Sequence, residues 1–243
     1  MTGSRRATAT GPSPWVRVRT AILDRLAAVL LLPVIGPLVL VLAWWVRRAE
    51  GPPACITLDR TGRDGATFRM WKLRTMRAEA PDGRATGAVL TAVADDRVTA
   101  SGARLRRWRA DELPQILNVL RGEMAFIGPR PETPSLVDAT DPQWRAVLAA
   151  RPGITGPTQL VVEQWESAPV ASGTHEDRYR DEILPVKLAV DRWYVERATP
   201  LLDLQVAWSM VERFVLGRAD TSVQARVRRE VPEAARVPER VSG

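Results

Sequence analysis

An acidic pair, Asp111-Glu112, lies directly behind Arg104, Arg106, Arg107 and Arg109 and directly ahead of an apolar run, in "RLRRWRADELPQILNVLRGE". A carboxylate that approaches a phosphoryl group meets like-charge repulsion, which Arg, Lys or a divalent ion such as Mg²⁺ must neutralise. Guanidinium groups bind phosphate oxygens two at a time, and the spacing of the upstream arginines brings at least one to the pair. Arg130, between two prolines in "IGPRPE", is presented from a stiff loop, and rigidity helps to hold an anion. Hard carboxylate oxygens also suit Mg²⁺, which takes one or two protein carboxylates and keeps several waters. The plain structural reading of Asp111 is a helix N-cap that accepts a first-turn amide hydrogen, with Pro114 tolerated in that turn. Both readings can hold together, because the positive end of a helix attracts phosphate and keeps a nearby Asp ionised.

Other chemistries are excluded by what the chain lacks. Cys55 and His175 are each single, which removes a disulfide framework, a zinc site and a Cys-His or Ser-His-Asp nucleophile system. Catalysis must then use carboxylates, Lys, Arg or hydroxyls. The formal charge is +7 and the pI about 10.7, so an anionic partner is expected, whether nucleic acid, a membrane surface or a phosphorylated substrate. A basic membrane-surface or nucleic-acid binding protein without catalysis is the alternative reading. The basic residues lack the interleaved aromatics that nucleic-acid binding favours, so no nucleic-acid partner is expected. Lys72 and Lys187 are the lysines of an otherwise arginine-rich chain.

The elements that must position the pair come next. Length and a 45% hydrophobic content allow one sizeable core. Residues 1–14 read as a flexible basic leader. Leu26 to Val46 carry no charge and span roughly 31 Å as a helix, long enough to cross a bilayer. Pro33, Gly36 and Pro37 interrupt the run, and arginines flank both ends, so residues 15–49 are expected to form a helix, break, helix hairpin that enters one leaflet and returns. Trp44 and Trp45 suit the headgroup level. Strands are expected near Ala54–Leu58 and Thr67–Leu73, and a loop over 77–100. Helices are expected over about Glu112–Arg121, Gln143–Ala150, Arg178–Arg197 and Pro200–Leu216, the last with a broad apolar face suited to an interface. Residues 50–216 would form the catalytic domain, and 217–243 a charged tail that frays.

From about Arg19 to Leu216 the chain resembles the bacterial sugar transferase family, the monotopic polyprenyl-phosphate phosphoglycosyltransferases. The resemblance is carried by "RTAILD", "DRTGRDGATFRMWKLRTM", "GARLRRWRADELPQILNVLRGEMAFIGPRPE", "RPGITG" and "DRWYVERATPLLDL". It implies a helix-dominated α/β mixed fold, with an N-terminal re-entrant membrane helix hairpin and a small cytosolic catalytic domain of few short strands and amphipathic interfacial helices. The implied location is the cytoplasmic face of the bacterial inner membrane, in contact with its lipids. The implied reaction moves a sugar 1-phosphate from a nucleoside diphosphate sugar to polyprenyl phosphate, with Mg²⁺. Asp111 would be the nucleophile and a ligand of Mg²⁺, and Glu112 its partner. Lys72, Arg106 and Arg130 would bind substrate phosphate, and Asp191 matches a further acidic position. The chain departs from the pattern at Leu32, Pro37 and Ala110, and above all after "RPGITG", where Pro157 opens an unfamiliar "TQLVVEQWESAPVASGTHED". That departure bears on which sugar is used.

Overall fold

The computed structural model describes residues 11–77, 97–167, 175–218 and 221–238. Most of the loop expected over 77–100, and most of the leader, lie outside them.

A single long helix, α1 (Pro14–Glu50), opens the fold. Ser13 caps it, its hydroxyl accepting from Val16 N, and a π-turn at Arg19–Leu23 leads into regular α-helix from Asp24 to Glu50. The expected break does not interrupt it, because helical backbone runs through Pro33 and Pro37. A helical proline costs a hydrogen bond and crowds the turn before it. Here the two prolines are four residues apart, so both defects fall on one face, and both rings point outward. The opposite face packs on the body through Ala28, Leu32 and Ile35 and then Leu42, Ala43 and Val46.

Both ends of α1 are tied to that same body. Near its start, Arg19 donates to the Tyr194 hydroxyl (2.8 Å), to Asp203 and to the Ile127 carbonyl, while Trp15 donates to Asp203 (2.7 Å). At its end, the Arg74 guanidinium donates to the carbonyls of Glu50, Gly51 and Pro52, and Ser101 donates to the Glu50 carboxylate.

Strands β1 (Cys55–Thr61) and β2 (Thr67–Leu73) form an antiparallel hairpin with Cys55 opposite Leu73 and Thr61 opposite Thr67. Helix α2 (Ala100–Arg107), capped by Thr99, precedes a 3₁₀ turn at Ala110–Gln115 that runs into α3 (Ile116–Arg121) and stops at left-handed Gly122. Gly102 lies against Thr75, where a Cβ would sit 2.0 Å from the Thr75 carbonyl oxygen. Strand β3 (Ala125–Ile127) pairs in parallel with β4 (Gly153–Thr155). The two strands meet backbone on backbone, since a Cβ on Gly153 would lie 2.1 Å from Gly128 N. This contact explains the glycines of "IGPRP" and "RPGITG".

Between them lies α4 (Pro142–Leu148), and after them come α5 (Pro157–Ser167), α6 (residues 175–197) and α7 (Pro200–Phe214). Their main core holds Trp144, Leu160, Tyr179, Val186, Tyr194 and Leu202. The tail expected to fray is instead folded over 221–238. Helix α8 (Ser222–Glu230), with a capping box at Thr221, and a 3₁₀ turn at Pro232–Arg236 bury Val223, Val227, Val231, Ala234 and Val237 in that core. The valines fall on one helical face despite the charged residues between them, which is the pattern the tail's composition conceals.

Candidate active site

The acidic pair lies on the 3₁₀ turn between α2 and α3, held there by β2 and α1. Asp111 is not an N-cap. The turn starts one residue earlier, after Arg109 in the left-handed conformation (φ 52), and no side chain caps it. The Asp111 carboxylate is therefore free for another partner, and Lys72 on β2 reaches its Oδ2 at 2.9 Å. The Asp111 side chain is 3% exposed and that of Lys72 17%. A buried carboxylate needs such a cation beside it.

Glu112 points to a different set of cations. Arg109 donates Nη1 to its Oε2 at 2.9 Å, and Arg130 donates Nη2 to its Oε1 at 3.1 Å. Burial would raise the Glu112 carboxyl, but Arg130, Arg109 and Lys72 outweigh it and hold it down at about 2. Glu112 is thus an ionised hydrogen-bond acceptor at any ordinary pH, and a general acid it is not.

Arg130 owes its placement to buried groups behind it. The Gly153 amide donates to the Pro129 carbonyl at 2.8 Å. Glu132 accepts from Lys187 Nζ (2.6 Å) and from the Tyr179 hydroxyl (2.6 Å). Burial would raise Glu132, but Lys187 and these hydrogen bonds keep it below the usual carboxylate range. Asp191 accepts the backbone N–H of Arg130 and the hydroxyl of Thr158. Burial pushes Asp191 up to about 7, a rise that the Thr158 hydrogen bond only partly offsets.

The structure therefore sets two ion-pair groups side by side on the turn, Lys72 with Asp111, and Arg109 and Arg130 with Glu112. It sets Asp191 one layer back, as a support of the loop. Arg106 donates Nε to the Thr75 hydroxyl at 2.9 Å, just beyond β2. Arg104 and Arg107 are exposed. Two residues at the pair were not singled out by the sequence. Arg109 looked like one of four equivalent arginines, and Glu163 lies in the unfamiliar stretch after "RPGITG"; they are joined by a salt bridge. Among the described residues no three His, Cys, Asp or Glu side chains cluster as a metal site. That pattern is compatible with an ion that takes one or two carboxylates and fills its remaining positions with water and phosphate oxygens.

A family model described as bacterial sugar transferase matches residues 15–217. The chain belongs to that family. It is 42% identical over 157 residues to the UDP-glucose:undecaprenyl-phosphate glucose-1-phosphate transferase of Caulobacter vibrioides, covering 62% of this chain and 57% of the relative. It is 31% identical over 209 residues to the UDP-N-acetylgalactosamine-undecaprenyl-phosphate N-acetylgalactosaminephosphotransferase of Aeromonas hydrophila, covering 85% and 46%. To the exopolysaccharide production protein ExoY of Rhizobium meliloti it is 31% identical over 210 residues, covering 80% and 84%. The chain thus spans about half the length of the first two relatives and most of the third. The family match ends before α8, so that helix and the turn after it lie outside the matched region.

Proposed function

We propose that this protein transfers a sugar 1-phosphate from a nucleoside diphosphate sugar, a UDP-sugar by its relatives' names, to undecaprenyl or another polyprenyl phosphate, at the start of exopolysaccharide or glycoconjugate synthesis. The observation that carries the reading is a buried Asp111 paired with Lys72 beside a Glu112 clamped by Arg109 and Arg130. An Asp Oδ attacks the phosphorus that bears the sugar, the bond to the nucleoside monophosphate breaks, and that nucleotide leaves. An acyl phosphate now joins Asp111 to the sugar phosphate. A phosphate oxygen of the lipid then attacks the same phosphorus, and the Asp111 carboxylate is released.

Each nearby side chain has a part that follows from its charge. Lys72 balances the charge of the buried Asp111 carboxylate and neutralises the incoming phosphate. Arg130 and Arg106 bind phosphate oxygens as the negative charge shifts toward the leaving group. Glu112 holds Arg109 and Arg130 in place. Asp111, with Glu112 beside it, would hold Mg²⁺, which when bound offsets the charge of the diphosphate.

Two features support placement on one face of the membrane. Helix α1 exposes Leu30, Val34, Leu40 and Trp44, and α7 with its C-cap Val215 exposes Leu201, Leu204, Trp208, Val211 and Val215 at alternating spacings of three and four. An unbroken helix anchored at both ends to one polar body favours seating on one side of the membrane over a crossing, because a crossing would carry that body through the bilayer. Purified protein incubated with a panel of nucleotide sugars and undecaprenyl phosphate is expected to release the nucleoside monophosphate. Without the lipid, a phosphosugar adduct on Asp111 is expected by mass spectrometry. Full turnover by Asp111→Asn, with the fold intact, would refute the mechanism.

A further inference from the structure

Arg109 occupies a backbone conformation that residues other than glycine, asparagine and aspartate avoid, with φ 52 and ψ 21. Its side chain is 16% exposed and meets three separate elements. One edge of the guanidinium donates to Glu112 Oε2 at 2.9 Å, and its Nη2 donates to Glu163 on α5. Its face lies 4.9 Å from the centre of the Phe214 ring, at the end of α7. A planar fork with two acceptors on its edges and a ring on its face uses the distinctive geometry of arginine, which a lysine ammonium cannot reproduce.

Glu163 belongs to the segment in which the chain departs from its family's pattern, and Phe214 to the helix with the exposed apolar stripe. The contact therefore joins the acidic pair to both. We propose that Arg109 is a positioning residue for the phosphosugar transfer: by spanning Glu112, Glu163 and Phe214 it fixes the Glu112 carboxylate beside Asp111. The orientation of the pair then depends on how α5 and α7 are seated. The inference rests on the transfer reaction proposed above. Without Arg109, Glu112 keeps only one of its two guanidinium partners, Arg130, whose side chain is 33% exposed, and becomes freer to turn.

The test compares Arg109→Ala, Arg109→Lys, Glu163→Gln and Phe214→Leu with the unaltered protein, in micelles containing undecaprenyl phosphate and a UDP-sugar that the protein turns over. A misplaced supporting group lowers turnover rather than affinity, so Arg109→Ala is expected to lower kcat about 100-fold with KM for the donor changed by less than about threefold. Arg109→Lys should recover part of kcat, and Glu163→Gln and Phe214→Leu should each lose about three- to tenfold in kcat, being indirect supports. If Arg109→Ala does not fold, Arg109→Lys and Glu163→Gln decide by the same kcat and KM readouts. Turnover within about twofold of normal in these variants, or a loss carried by KM rather than by kcat, overturns the inference. Asp111→Asn run alongside separates the cases. Silent Arg109 variants with an inactive Asp111→Asn refute the role of Arg109 alone, whereas an active Asp111→Asn, or no turnover by the unaltered protein with any donor, refutes the reaction and the inference together.

Discussion

Replacing Asp191 by asparagine removes a buried ionisable group while leaving the Thr158 hydroxyl a carbonyl oxygen to donate to. The Asp191 carboxyl moves from an ordinary 3.8 to about 7 on folding, through burial, with Thr158 opposing only in part. Its folded pKa is raised, so the folded protein binds the proton more tightly than the unfolded chain does. The stability this contributes is complete below about pH 4 and is lost as pH rises through about 7. Across that window the slope is ~1.4 kcal/mol per pH unit, a total of ~4 kcal/mol. For a chain of 243 residues that corresponds to roughly 8–16 °C in the unfolding midpoint. The assay is thermal unfolding in detergent from pH 4 to 8, read as the difference between the unaltered protein and Asp191→Asn. The midpoint of the unaltered protein should fall relative to that of the variant as pH rises. Parallel curves would show that Asp191 carries no such shift, and with it would go the account of how burial at this position supports the Arg130 loop.

Lys72→Met strands a buried carboxylate, and breaking one side of a buried pair costs about 3–5 kcal/mol; sugar-phosphate transfer, measured as nucleotide release, should drop by at least about 100-fold. Gly102→Ala places a Cβ 2.0 Å from the Thr75 carbonyl oxygen, so backbone must shift. A loss of roughly 2–4 kcal/mol is expected in denaturant unfolding, together with weakened donor binding as Thr75 moves away from Arg106. Ending the chain after Arg218 removes Val223, Val227 and Val231 from the core and the Gln224 side-chain bond to the Leu160 carbonyl (2.6 Å) on α5. At roughly 1.5–3 kcal/mol per buried valine, a clearly lower unfolding midpoint is expected, and an unchanged midpoint would show that α8 does not brace α5.

Some of this arrangement could be read in the residues themselves. Asp111, Glu112, Lys72 and Arg130 stood out because their types suit phosphate chemistry and because they fall in stretches that resemble one family. The hairpin β1–β2 was marked by flanking glycine and proline, and the outward stripe of α7 by its own spacing. Other features depend on partners distant in the chain. Nothing near Arg109 distinguishes it from Arg104 or Arg107, since Glu163 and Phe214 arrive only when α5 and α7 pack. The pairing of β3 with β4 was hidden because strands of three residues carry no readable alternation. Pro33 and Pro37 signalled a break, yet the helix runs through both, because their defects share the outer face while the inner face is held by packing.

By itself, then, the sequence determined which chemistries were open. A chain with one cysteine, one histidine, a carboxylate pair and few lysines must rely on carboxylates and guanidinium groups if it is to act on phosphate. Helical periodicity and hairpin punctuation are local properties, so the elements could be read as well. Only the tertiary structure decided which cation serves which carboxylate, that Asp111 takes Lys72 rather than a helix end, and that Asp191 supports the site from behind. It also decided that both ends of α1 belong to one body. Ion pairs and buried hydrogen bonds act over a few ångströms of space, and the groups they join here lie as much as 185 residues apart in the chain, as Ser13 and Ala198 do.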